Sequence, residues 1–108
     1  MGSGRMSSPT QRSLEKLRAD GWRAEVVERW IPGANIRKDL WGWVDILALR
    51  DGVTLAVQTT SAANVAARVR KIADSESIAD VRKAGWRIAV WGWRKVGRAW
   101  VCRVVDLS

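Results

Sequence analysis

The sequence predicts an α/β domain, a mixed β-sheet flanked by helices in the order αβββααββ. Three observations carry that expectation. First, Lys38–Thr60 (K-D-L-W-G-W-V-D-I-L-A-L-R-D-G-V-T-L-A-V-Q-T-T) holds two apolar, β-favouring runs, Trp41–Leu49 and Val53–Thr60, around Arg50-Asp51-Gly52. An Asp-Gly pair between such runs signals a hairpin, because a type I′ turn needs φ > 0 at both central residues. Second, the apolar period changes after Thr60 from that of a strand to that of a helix. Third, two more strand-like runs follow, W-R-I-A-V-W-G-W (Trp86–Trp93) and Ala99–Val105. The passage from strand through helix to strand is a crossover, which should leave the flanking strands parallel and right-handed in connection.

The other elements follow in order. Ser8 is an N-cap, Pro9 takes the first helical position and Gln11 completes a capping box; with Leu14 and Leu17 as an apolar stripe and Asp20-Gly21 as a stop, a helix spans 9–20. Trp22–Ile31 alternates as a strand, Pro32-Gly33-Ala34-Asn35 is a loop, and Ile36–Asp39 leads into the hairpin. Ser61 caps a helix whose Val65, Val69, Ile72 and Ala73 line one side. After a break at Asp74–Ser77 a short helix runs to Ala84, closed by Gly85, and the last two strands turn around Lys95–Arg98. Residues 1–7, with Met1-Gly-Ser-Gly-Arg5 before Met6, read as a disordered N-terminal extension of the kind a cloning scar leaves, and 8–108 as one domain.

Counting back from the Asp51-Gly52 turn pairs Arg50 with Val53, Leu47 with Ala56, Ile46 with Val57 and Asp45 with Gln58. Cross-strand partners share a face, so a lone carboxylate lies beside a lone amide on an apolar ribbon, with Thr60 one step along. Burying Asp45 there is costly without a hydrogen bond, a cation or a metal.

Composition narrows the chemistry. The 108 residues include no histidine and one cysteine, Cys102, which excludes an internal disulfide, a zinc site, a Ser-His-Asp triad and a Cys-His pair. Any metal must then be a hard one with oxygen ligands. The lone cysteine fits a reducing cytoplasm, and no stretch has the apolar length of a membrane helix. Nineteen Lys and Arg against eleven Asp and Glu leave a net charge of +8, which points to a polyanionic partner, nucleic acid above all. Eight tryptophans occur without Tyr or Phe, including two W-G-W triplets, Trp41–Trp43 and Trp91–Trp93. Most read as core aromatics; Trp43, two residues before Asp45 on the same face, is the exception that could serve base stacking.

A helix, three strands with an Asp in the second, a short hairpin, a third strand ending in a polar triplet and then a basic helix resemble the PD-(D/E)xK nuclease superfamily. Within it the chain is most similar to archaeal-type Holliday junction resolvases and small phage-type relatives. The resemblance runs from Ser8 to Val105 and is most telling in R-K-D-L-W-G-W-V-D-I-L-A-L-R-D-G-V-T-L-A-V-Q-T-T-S. It implies a restriction-endonuclease-like fold, a Mg²⁺- or Mn²⁺-dependent endonuclease acting on structured or junction DNA, and a homodimer. Asp45 stands where the family's metal-binding aspartate stands, Gln58 at the Glu of ExK and Thr60 at its Lys. Asp45, the Gln58 carbonyl oxygen and the Thr59 backbone carbonyl are the metal ligands this implies; Asp45, Gln58, Thr60 and Lys71 are the catalytic set.

The departures are that ExK has become Gln58-Thr59-Thr60 and that the helix-one glutamate falls at Thr10 or Gln11, with Glu15 a turn away as a weak metal candidate. Lys71, Arg68 or Lys38 would have to supply the missing cation. Arg37, Lys38, Arg68, Lys71, Arg94 and Lys95, with Arg98, are the expected DNA contacts. Two other expectations stay open: a non-catalytic DNA-binding module of the same fold, and a protein-interaction domain using the W-G-W faces. A structural cluster, in which the Gln58 amide and Thr60 hydroxyl satisfy Asp45, competes with the metal reading.

Overall fold

Residues 8–108 are described by a computed structural model; the N-terminal extension expected over 1–7 lies outside them. Helix α1 spans Pro9–Ala19, and its start is chemically marked: the Ser8 hydroxyl accepts from the Gln11 backbone N–H at 3.1 Å. Asp20 caps its other end, and Gly21, at φ +89°, reverses the chain.

The main sheet has five strands in the order β1-β4-β5-β6-β7: Arg23–Val26, Ile46–Arg50, Val53–Ser61, Arg87–Val96 and Ala99–Asp106. β1–β4, β4–β5 and β6–β7 are antiparallel, and β5–β6 is parallel, as a crossover requires. The β4–β5 register is the one counted from the turn: Arg50 opposes Val53, Leu47 Ala56 and Ile46 Val57, with Asp51 and Gly52 both at positive φ. A 3₁₀ turn, Ala62–Asn64, leads into α2 (Val65–Ala73), and α3 (Ile78–Lys83) follows.

The order αβββααββ is therefore corrected at three places. Trp22–Ile31 is not one strand. Its main-sheet pairing ends at Val27, whose N–H donates to the Asp45 carbonyl at 2.9 Å as the last rung between β1 and β4; beyond it the partner chain folds back through Leu40–Val44. β2 (Glu28–Ile31) leaves that sheet to pair with β3 (Ile36–Asp39), a segment expected only to lead onward. Nor does the next strand begin at Trp41: Trp41 and Gly42 take left-handed conformations at φ +54° and +80°, and Leu40 bridges Val44 around them. The described order is one helix, five strands, two helices and two strands.

Strand alternation sends successive residues to opposite faces, and each face carries a core. Ile46, Ala48, Val57, Ala89, Trp91 and Trp93 pack with Leu14 and Leu17 of α1. Ala56, Ile88 and Val90 pack with Val65 and Ile72 of α2, Ile78 and Val81 of α3, and Trp43. Ala73, expected on the buried side of α2, is exposed. Buried indole N–H groups need acceptors: Trp93 donates to Ser13 and Trp43 to Ser77, both at 2.8 Å.

The glycine of the second W-G-W triplet has a steric purpose. A Cβ on Gly92 would lie 2.2 Å from Val65 Cγ2 and 3.2 Å from Ala62 Cα. Overpacking of this kind costs about 1–3 kcal/mol. Gly92→Ala should accordingly lower the unfolding free energy by about that amount in urea titration. A denaturation midpoint equal to that of the wild type would mean that α2 does not rest on β6 there.

Candidate metal centre

Asp45 enters β4 from a turn and is tied to its neighbours on both sides. Its N–H donates to the Val57 carbonyl at 2.9 Å while its carbonyl accepts from Val27. Oδ2 of its side chain accepts from Gln58 Nε2 at 2.6 Å and from the Thr59 backbone N–H at 2.7 Å. Asp45 and Gln58 thus meet as the hairpin count expects. The second donor, however, is the Thr59 main chain, where the structural-cluster reading expected the Thr60 hydroxyl. Thr60 is buried and lies opposite Gly92 of β6. Thr59 turns the other way, its hydroxyl 2.8 Å from that of Thr10 at the start of α1.

The β2–β3 hairpin adds what the main sheet lacks. Glu28 and Asp39 are directly opposed, and each offers a carboxylate oxygen that lies within 4.8 Å of the other's and of one from Asp45. Directly opposed like charges destabilise a strand pair; Arg37, 3.2 Å from Glu28 Oε1, offsets part of this. Gln58 contributes a further signal. It is 2% exposed, its Nε2 is engaged by Asp45, and its Oε1 is buried without a hydrogen-bond partner. A buried carbonyl oxygen left in that state costs about 1–3 kcal/mol. Three carboxylates make an all-oxygen donor set, which suits a hard divalent cation, and the unpartnered amide oxygen belongs to the side chain that bonds one of them. The acidic triad could hold a metal ion.

The same neighbours set the electrostatics of the metal-free site. Burial pushes the Asp45 carboxyl from an ordinary 3.8 up to about 7, against the pull of the Thr59 N–H. The neighbouring Asp39 carboxylate raises it further, and the Gln58 amide opposes. A cation in this position would reverse that balance. Beside the triad opens a cavity of about 380 Å³, lined by Val27, Arg29, Lys38, Asp39, Leu40 and Trp41.

The other residues singled out in the sequence are dispersed. Glu15 is exposed on α1 and outside the carboxylate triad. Arg68 is half-buried and Lys71 exposed on α2; neither lines this cavity, and neither side chain bonds another described residue. Arg37 pairs with Glu28 and Lys38 lines the cavity. Arg94 and Lys95 lie on β6, short of the turn they were expected to edge; Arg94 shares a cavity of about 350 Å³ with Arg103, and Lys95 Nζ is 5.9 Å from the Trp100 ring. Arg98 is exposed at the turn. Trp43 is buried beneath α3 and offers no face for stacking.

Glu28, Asp39 and Arg29 escaped the sequence reading. The signal was present: with 32–35 taken as a four-residue hairpin loop, outward counting pairs Ile31 with Ile36 and Glu28 with Asp39. Two acids facing across a hairpin call for a cation.

No family model, curated protein or solved structure matches this chain.

The raised carboxyl of Asp45 fixes the sign of a pH effect. The native state holds this proton from pH 3.8 up to about 7, while the unfolded chain has released it. The group's stabilising contribution is therefore complete below 3.8 and lost as pH rises through 7. Urea unfolding in chelator should show the metal-free protein losing on the order of a few kcal/mol between about pH 5 and pH 8. Asp45→Asn should flatten that slope; an unchanged slope in the variant would place the titrating group elsewhere.

Proposed function

We propose that this chain is a divalent-metal-dependent DNA endonuclease that hydrolyses phosphodiester bonds in structured or junction DNA. The observation that carries the reading is the convergence of Glu28, Asp39 and Asp45 beside the unpartnered Gln58 carbonyl, in a chain of net charge +8. Phosphodiester cleavage and a basic surface call for the same substrate, a nucleic acid.

The arrangement of elements supports the resemblance to the PD-(D/E)xK superfamily. With the β2–β3 hairpin set aside as an insertion, a helix is followed by β1, by β4 entered at Asp45, and by β5, which ends in Gln58-Thr59-Thr60. A helical segment and β6 then follow. The carboxylate lost at Gln58 is replaced by two from the inserted hairpin. The cation lost at Thr60 is better supplied by Lys38, on the wall of the same cavity as Asp39, than by Lys71.

The protein's own groups have separable tasks. Asp45, Asp39 and Glu28 would hold Mg²⁺ or Mn²⁺, while Gln58 and the Thr59 N–H orient the Asp45 carboxylate. Such supporting bonds keep a ligand in place and typically change metal affinity about 10–100-fold when removed. Lys38 and Arg29 face a phosphate approaching the cavity and stabilise its negative charge in the transition state. When bound, the cation supplies Lewis-acid polarisation and a lowered pKa for the attacking water. Family members resembling this chain act as symmetric dimers, and a homodimer presents two such sites to a junction.

The competing reading is a DNA-binding module whose catalysis has decayed, favoured by Gln58 and Thr60 standing in place of Glu and Lys. One experiment separates them: cleavage of a labelled four-way junction and a matched linear duplex with Mg²⁺ or Mn²⁺. The wild type should cut; Asp45→Ala should lose cutting by about 10²-fold or more while keeping salt-sensitive binding. Lys38→Ala should lower the rate more than Lys71→Ala does. Tight binding without metal-dependent cutting by the wild type would leave the binding module as the answer.

A further inference from the structure

The two W-G-W triplets have different fates. Trp91 and Trp93 are both buried against α1. In the first triplet Trp43 is buried, but Trp41 remains 48% exposed. Trp41 also occupies the left-handed region, at φ +54°, beside Gly42 at +80°. A bulky side chain there is strained, and such strain persists where surrounding structure or function demands it. A half-exposed ring gives the core little in return.

The position of the ring suggests what it does instead. Trp86 props it on one side, the two centroids 5.4 Å apart and the planes tilted by 41°. Trp41 is also the shared wall of two cavities. One, of about 380 Å³, contains Arg29, Lys38 and Asp39 next to the carboxylate triad. The other, of about 260 Å³, is lined by Trp86, Val81, Ala84, Ser77 and Asp80. A single indole therefore separates a charged chamber from a largely apolar one. A nucleotide has the same division, an anionic phosphate at one end and a flat π-system at the other.

We infer that Trp41 is a stacking platform for an unpaired nucleobase, held in the Trp41–Trp86 cavity while its phosphate lies against Arg29 and Lys38. The inference rests on the DNA reading above and specifies its substrate. In a duplex each base face is covered by the next base pair, so an exposed indole selects single strands, flaps and branch points. Stacking on an aromatic side chain is tolerant of sequence, because every base has a π-face. Selection is then for strand structure rather than for base identity.

The test uses the full chain, a fluorescein-labelled single-stranded oligo-dT of about 20 nucleotides and a labelled duplex hairpin, with chelator present so that nothing is cut. Trp41→Gly suits the left-handed backbone and removes the ring, an unchanged urea midpoint showing that the fold is kept; Trp41→Phe retains an aromatic face. Anisotropy titration should show Trp41→Gly weakening single-strand binding about 5- to 150-fold. Duplex binding should stay within about twofold, and Trp41→Phe should restore most of the loss. Unchanged single-strand binding by Trp41→Gly, or an equal loss on both DNAs, would overturn the stacking role and leave the nuclease reading standing. Failure of the wild type to bind either DNA would overturn both.

Discussion

The Asp45 carboxylate, buried and clasped through one oxygen by the Gln58 amide and the Thr59 N–H, is the constraint on which the remaining structure turns. Its position is a consequence of the β4–β5 register. Because side chains alternate with a period of two, a slip by one residue would send Asp45 and Gln58 to opposite faces and invert both cores. The Asp51-Gly52 turn prevents that slip, so a two-residue signal far from the site holds the site in register. The main chain of Asp45 has an equal share in the architecture. Its carbonyl accepts from Val27 as the last rung between β1 and β4, and the chain reversal at Leu40–Val44 leaves the residues after Val27 without a partner in the main sheet.

What is released becomes the second half of the site. β2 and β3 form their own ribbon, and they place Glu28 and Asp39 face to face beside Asp45. Such a set of acids is unfavourable by itself. Burial and the Asp39 charge both push the Asp45 carboxyl upward, and Arg37 answers only Glu28. The ribbon's opposite residues, Arg29 and Lys38, are directly paired and both reach the neighbouring cavity. The cavity wall thus carries both cations beside Asp39, one carboxylate of the acidic cluster.

The tryptophans divide along similar lines. Trp93 and Trp43 anchor α1 and the segment before α3 to the two faces of the sheet, and each satisfies its indole N–H on a serine, Ser13 or Ser77. Gly92 then lets the 3₁₀ turn and the first residue of α2 come within contact of β6. Trp41 belongs to neither core. Its neighbours are Trp86, the charged cavity and solvent, which is the environment of a contact residue.

Local chemistry determined much of this protein. The Ser8 cap, the Asp51-Gly52 turn and the β4–β5 pairing follow from residues a few positions apart, and the parallel β5–β6 crossover from the change of period between two strand-like runs. So did the meeting of Asp45 with Gln58, since register propagates from a tight turn. The break at Val27 could not be read in the same way. Trp22–Ile31 alternates as far as Val26 and loses the period at Val26-Val27, and the division itself follows from where its partner strand ends, at Asp45 eighteen residues downstream of Val27. Likewise W-G-W looks like strand in both of its copies. Burial on both sides keeps Trp91–Trp93 extended, whereas the chain reversal between Leu40 and Val44 forces Trp41 into the left-handed region. Tertiary structure alone decided which carboxylates gather and which indole stays exposed, because both depend on where the end of one strand meets the side of another.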